Sequence, residues 1–189
     1  MSVWYELLIA GTGDKVDALV EGLAPDQVCR GEDLDLQAGS IPERILEHLG
    51  AKVHHLLFAP PDQARELIRR IATDPDLRLE RTREVLSASF AFETEAFSHP
   101  VAEKIETALH TDLPADVKLE DWQESEERDP SARGLEIKGT VHEYTYQASG
   151  RFTGPLPGIL EIHRRLRDVD FVKERQLEIE GREVATPGA

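Results

Sequence analysis

The stretch Trp4-Tyr5-Glu6-Leu7-Leu8-Ile9-Ala10-Gly11-Thr12-Gly13, followed by Val16, Leu19, Val20 and Leu23, decides how this chain is read. A short apolar run ends in a glycine turn, and the apolar residues beyond it recur at the spacing of one helix face. The order is strand, turn, helix. It returns at Val53-His54-His55-Leu56-Leu57-Phe58-Ala59, then Pro60-Pro61-Asp62, then Ala64, Leu67, Ile68 and Ile71. Leu7-Leu8-Ile9-Ala10 overlays Leu56-Leu57-Phe58-Ala59, and after a one-residue gap Asp14 overlays Asp62 and Leu19-Val20 overlays Leu67-Ile68. Half a domain is repeated.

Working outward, a possible strand lies within Gln27 to Leu36 and a short helix runs from Ile41 to Leu49. Ser40 stands three residues before Glu43, the spacing of a capping box, and Gly50 supplies a stop that tolerates the left-handed conformation. Leu77 and Leu79 alternate with charged residues and start another strand. Further on, Leu86, Ala88, Phe90 and Phe92 alternate with polar or small residues as a half-buried strand does. A helix capped by Ser98 follows, with Val101, Ile105, Ala108 and Leu109 as its stripe. Val117 and Leu119 lead to Trp122 in a strand, and Gln123 to Arg133 reads as an acidic loop. A strand-like run from Leu135 to Ala148, a Gly/Pro-punctuated turn, a helix carrying Leu156, Ile159, Leu160 and Leu166, and a strand from Val169 to Glu180 complete the second half.

Each half therefore reads βαββαβ. Right-handed βαβ crossovers convert that order into an antiparallel sheet with both helices on one face, the ferredoxin-like arrangement. The expected fold class is α+β, a tandem of such domains: residues 1–82 with an inserted helix at 41–49, then residues 83–181, then a disordered tail at 182–189. The two halves join near Glu80 to Val85, through one continuous strand. The alternative is a single larger α/β domain with a mostly parallel sheet.

Composition bounds the partners. The chain has 37 acidic against 22 Lys and Arg residues, a formal charge of −15, which repels polyanions and anionic membrane surfaces. No nucleic acid and no membrane is expected as a partner. One cysteine, Cys29, cannot form an intrachain disulfide or a thiolate cage. With no signal-peptide pattern at the N-terminus, a cytoplasmic location is expected.

A sheet roofed on one side leaves a second face to be used. In the run from Leu135, the residues Leu135, Ile137 and Val141 share the helix-packed parity, while Lys138, Thr140, His142, Tyr144 and Tyr146 share the open one. That polar-aromatic row resembles the stacking platform of RNA-recognition domains. The resemblance ends at architecture: Lys138-Gly139 opens like their signature, Thr140-Val141-His142 does not continue it, and the charge is wrong. Ser149-Gly150-Arg151-Phe152-Thr153-Gly154 leads into a helix and could hold an anion on free N–H groups and Arg151, although Pro155 and Pro157 remove two donors.

Catalytic and metal motifs are missing from the sequence. His54 and His55 are adjacent and face opposite sides of a strand, and no His pair has chelating spacing on a helix. No metal or other cofactor is expected. The two-histidine phosphoesterases carry His-x-Thr/Ser in each lobe; His142-Glu143-Tyr144 and His110-Thr111-Asp112 both fail that test. The expected function is a non-enzymatic module that binds a small molecule or a protein and self-associates, possible homodimer included, through its open sheet faces. Its ligand or interface residues would be His142, Tyr144, Tyr146, Gly150 and Arg151. The alternative is a small isomerase or hydrolase with an active site between the lobes, using His142 as general base and Arg151 as anion clamp.

Overall fold

A computed structural model describes residues 3–30, 52–97, 99–128, 144–167 and 172–185. β1 (Tyr5–Gly11) turns through Thr12 into α1 (Gly13–Val20), and a single 3₁₀ turn, Pro25–Gln27, precedes β2 (Val28–Arg30). β3 (Val53–Ala59) enters α2 (Pro61–Thr73), which returns to the long β4 (Arg78–Ala96). Then come α3 (His99–His110), β5 (Lys118–Arg128), β6 (Tyr144–Gly154), α4 (Leu156–Arg167) and β7 (Val172–Glu183). The described residues thus form an α+β fold with four helices and a seven-stranded open sheet.

The strand order is β2-β3-β1-β4-β6-β5, with β7 also pairing β4. β1 is antiparallel to both β3 and β4, β2 to β3, and β6 to both β4 and β5. This corrects the parallel α/β alternative, because the helices return each chain segment beside a strand of opposite sense. The helix expected at 41–49, the run 135–143, the Ser98 cap and the tail beyond 185 lie outside the described residues. The acidic stretch expected as a loop is a strand through Arg128. Its Glu and Gln residues carry no apolar alternation, so the pattern that marks a strand was missing.

The chain divides into two compact units, Met1–Ser87 with Ile179–Ala189, and Ala88–Glu178. The end of β7 clusters with the first unit because it pairs along β4: Val184 N–H donates to the Thr82 carbonyl, and Arg182 ion-pairs with Glu84.

In the first unit, Leu7, Ile9, Leu57 and Ala59 form one sheet face, buried against Val16 and Leu19 of α1 and Ala64, Leu67, Ile68 and Ile71 of α2. Burying each such aliphatic side chain contributes about 1.5–3 kcal/mol. Gly11 lets this layer close: a Cβ there would stand 2.6 Å from Leu77 Cδ2. α2 starts with proline at its donor-free end and carries Asp62 in its first turn and Arg70 in its last, matching the helix dipole. The opposite face carries Glu6, which is fully buried and lies directly across from Arg83 in the β1–β4 ladder.

One surface pair ties the turn after α2 to α1. Lys15 Nζ donates to Asp74 Oδ2 at 3.1 Å, and the Asp76 N–H donates to Asp74 Oδ1 at 2.9 Å. The Asp76 amide and then the Lys15 ammonium hold the Asp74 carboxyl below its usual 3.8, while Asp74 raises Lys15 above 10.5. A depressed carboxyl stabilises the fold above its unfolded pKa and loses that contribution as pH falls through the folded value; the raised lysine loses its contribution as pH rises through its folded value. Asp74→Asn should therefore flatten both the acid limb below pH 3.8 and the alkaline limb above pH 10.5 in denaturant midpoints measured against pH. Parallel profiles for wild type and variant would refute the assignment. The effect will be small, since the pair is solvated.

Candidate functional site

The second unit is organised by the register of β6. Phe152 pairs with Phe90, Gly150 with Phe92, Ala148 with Thr94 and Tyr146 with Ala96. Paired residues share a face in an antiparallel ladder, so Tyr146, Ala148, Gly150 and Phe152 all project to one side. That side is the helix-packed one: Phe90 and Phe152 are buried together with Leu109 of α3 and Ile159 and Leu160 of α4, and the Phe90 ring meets His163 edge-on at 5.4 Å. His163 is thus a buried core residue on α4.

β5 reaches the same side through a one-residue bulge. Glu120 pairs with Arg151, but the next ladder pair is Gln123 with Ser149, and between them Asp121 takes φ +54°. An extra residue in one strand reverses the parity beyond it. Leu119 and, past the bulge, Glu124 and Glu126 therefore share the helix-side face, opposite Phe152, Ala148 and Tyr146 in turn. The Trp122 ring lies 6.4 Å from Phe92 and 4.8 Å, edge-on, from His110.

A cavity of about 410 Å³ lies between α3 and this face. Thr94, Ala96 and Ala148 form its floor, where the Thr94 hydroxyl donates to the Ala148 carbonyl at 3.2 Å. Trp122 and Tyr146 are its aromatic walls, Ala102 borders it from α3, and Glu103 and Glu106 of α3 and Glu124 and Glu126 of β5 are its carboxylates.

The residues singled out in the sequence are dispersed by this register. Tyr144 and Tyr146, ring centroids 6.3 Å apart, have the parity of Phe152 and face the α3 side, which corrects their expected place on the open face. The parity counted forward from Leu135 through Gly139 assigns them to the side opposite the one that the β4–β6 register gives. Gly150 is within a strand, not a turn: a Cβ there would stand 3.0 Å from Leu119 Cδ1 and 3.1 Å from Phe92 Cζ, so the glycine admits an aromatic ring to the core. The whole segment Ser149–Gly154 is strand, and α4 begins only at Leu156. Arg151 projects from the opposite face, where its guanidinium ion-pairs with Glu178 and donates to Ser89 Oγ at 3.1 Å. Any anion arriving there has to compete with that carboxylate. His142 lies outside the described residues.

Around Arg151 the open face is polar, bearing Ser89, Glu93, Gln123, Ser149 and Gln176. Among the described residues, no group of three or more His, Cys, Asp or Glu side chains is arranged to hold a metal ion, and no helix is long and apolar enough to cross a membrane.

No family model matches the chain, and no curated protein matches it. A crystal structure of an unknown protein from Galdieria sulphuraria aligns with 98% of this chain and 100% of its own length, at 11% identity and a TM-score of 0.28. At that level of likeness it carries no functional argument.

Proposed function

We propose that the protein is a non-catalytic small-molecule-binding protein built from two ferredoxin-like βαββαβ domains, with its ligand held in the cavity between α3 and the sheet. The strand orders support the domain reading. Within the first unit the order is β2-β3-β1-β4, and β5-β6-β4-β7 repeats the same permutation of first, second, third and fourth strand. The observation that carries the binding reading is the lining of the cavity, which brings the aromatic side chains of Trp122 and Tyr146 together with the small residues Thr94, Ala96, Ala102 and Ala148 around about 410 Å³ of space. The carboxylates are exposed, and among the described lining residues no Cys, His or Lys stands beside them or beside the hydroxyls of Thr94 and Ser125, which favours binding over turnover.

Filling the space tests this. Ala102 borders the cavity from a helix face that is only partly buried, so Ala102→Trp should occupy the site without disturbing the aromatic core beneath it. Ligand-observed NMR with a fragment collection is expected to find binders of the wild-type chain, and Ala102→Trp should weaken them at least tenfold. An identical binding profile for the two chains, or no binder of either, would refute the reading.

A further inference from the structure

We propose that this cavity selects a small organic cation, an alkylammonium group of about the size of choline; the inference rests on the preceding reading that the cavity is a ligand site. Trp122 and Tyr146 both line it, the face of an aromatic ring being electron-rich, and its charged lining consists of Glu103, Glu106, Glu124 and Glu126. Among the described lining residues there is no Lys, Arg or His. The carboxylates come from two elements on different sides of the space. The one-residue shift at Asp121 puts Glu124 and Glu126 on the helix side of the sheet, in register with Ala148 and Tyr146, whereas Glu103 and Glu106 belong to α3, and all four are exposed at the mouth of the space.

The donor set also discriminates between kinds of cation. A hard metal ion needs several oxygens converging at about 2.0–2.6 Å, and the described carboxylates form no such cluster. An alkylammonium ion spreads its charge over a larger apolar surface and needs only carboxylates at a distance and a ring face to lie on, which is how methylated amines are recognised in aromatic cages. Anions are repelled by four like charges, and a neutral ligand of the same shape gains only the aromatic contact.

The chain has two tryptophans, Trp4 and Trp122, so a Trp4→Phe background makes Trp122 fluorescence a local reporter. The full-length protein in that background would be titrated with choline and with its uncharged isostere 3,3-dimethylbutan-1-ol, at near-physiological salt so that general attraction to the acidic surface is screened. Saturable quenching is expected, with choline binding at least tenfold more tightly than the alcohol. Glu124→Gln/Glu126→Gln should abolish most of that preference, whereas Glu21→Gln, an exposed carboxylate of the first unit, should leave it unchanged. Should the β5 pair disturb folding by circular dichroism, Glu103→Gln/Glu106→Gln on α3 makes the same test from the other side. Equal affinity for the two probes, or a preference untouched by either double substitution, overturns the cationic ligand and leaves a binding cavity standing. Failure of both probes to titrate, joined to identical fragment profiles for wild type and Ala102→Trp, removes the binding site as well.

Discussion

Glu6→Ala is expected to cost about 3 kcal/mol of stability, lowering the thermal midpoint by roughly 6–12 °C for a chain of this size. Glu6 is fully buried in β1, between Phe58 on one neighbouring strand and Arg83 on the other. Its Oε1 accepts from Arg81 Nη2 at 3.0 Å and from Arg83 Nε at 2.9 Å, and its Oε2 accepts from Arg83 Nη2 at 2.6 Å. The Arg83 fork is therefore bidentate, the strongest geometry for a carboxylate. It is also packed in place, since a Cβ at Gly181 of β7 would stand 3.0 Å from Arg83 Cβ.

Removing the carboxylate leaves two guanidinium groups facing a space they cannot hydrate fully, their side chains being 32% and 22% exposed. Breaking a buried ion pair costs about 3–5 kcal/mol, and partial solvent access to the arginines sets the expectation at the lower end. The network is also incompletely satisfied, because Arg81 Nε is buried and has no hydrogen-bond partner among the described residues. Its net value against a well-packed apolar alternative should then be small or negative. The triple variant Glu6→Met/Arg81→Met/Arg83→Met is accordingly expected to recover most of what Glu6→Ala loses. Urea midpoints for the wild type, the single and the triple variant decide the matter. A single variant within about 1 kcal/mol of wild type would show the pairing to be idle, and a triple variant worse than the single would show the charges to be net stabilising.

How much of this was legible depends on what each residue contrasts with. The repeat of strand and helix at Leu7–Ala10 and Leu56–Ala59 was visible because apolar periodicity is strong there, and both copies are strands leading into helices. The continuous strand through Glu80 to Val85 was also visible, because no turn residue interrupts it. Glu6 was passed over as a charge in an apolar run; its importance lies in Arg81 and Arg83, which are far away in sequence and adjacent only after the β1–β4 ladder forms. The cavity was hidden for a related reason. Its floor uses Thr94, Ala96 and Ala148, which alternate inconspicuously, and its acidic wall needs a bulge at Asp121 that no residue type announces. A one-residue slip reverses a strand's faces, so a parity count carried from Leu135 to Tyr146 without knowledge of bulges could assign the row but not its side.

The same register argument identifies the substitution expected to damage the second unit most. Phe152→Ala should cost about 3–5 kcal/mol, a large share of the roughly 5–15 kcal/mol that hold a typical domain together. Phe152 is 1% exposed, stacks on Phe92 with ring centroids 5.3 Å apart, and has Phe90 and Leu119 directly across from it on the two neighbouring strands. The loss includes a cavity term because the surroundings cannot collapse. Phe92 is held against Gly150, and Ile159 and Leu160 of α4 are buried. Phe152→Leu, which keeps most of the volume, should recover more than half of the loss, whereas Leu86→Ala, at a side chain 54% exposed, should stay within about 0.5 kcal/mol of wild type. Urea melts followed by Trp122 in the Trp4→Phe background read all three directly. Because Phe152 fixes the ladder position of Ala148 and Tyr146 four and six residues upstream, choline binding should weaken in Phe152→Ala even below its midpoint. Unaltered melting of that variant would mean that the aromatic layer is not the centre of the unit, and the position of the cavity above it would lose its structural basis.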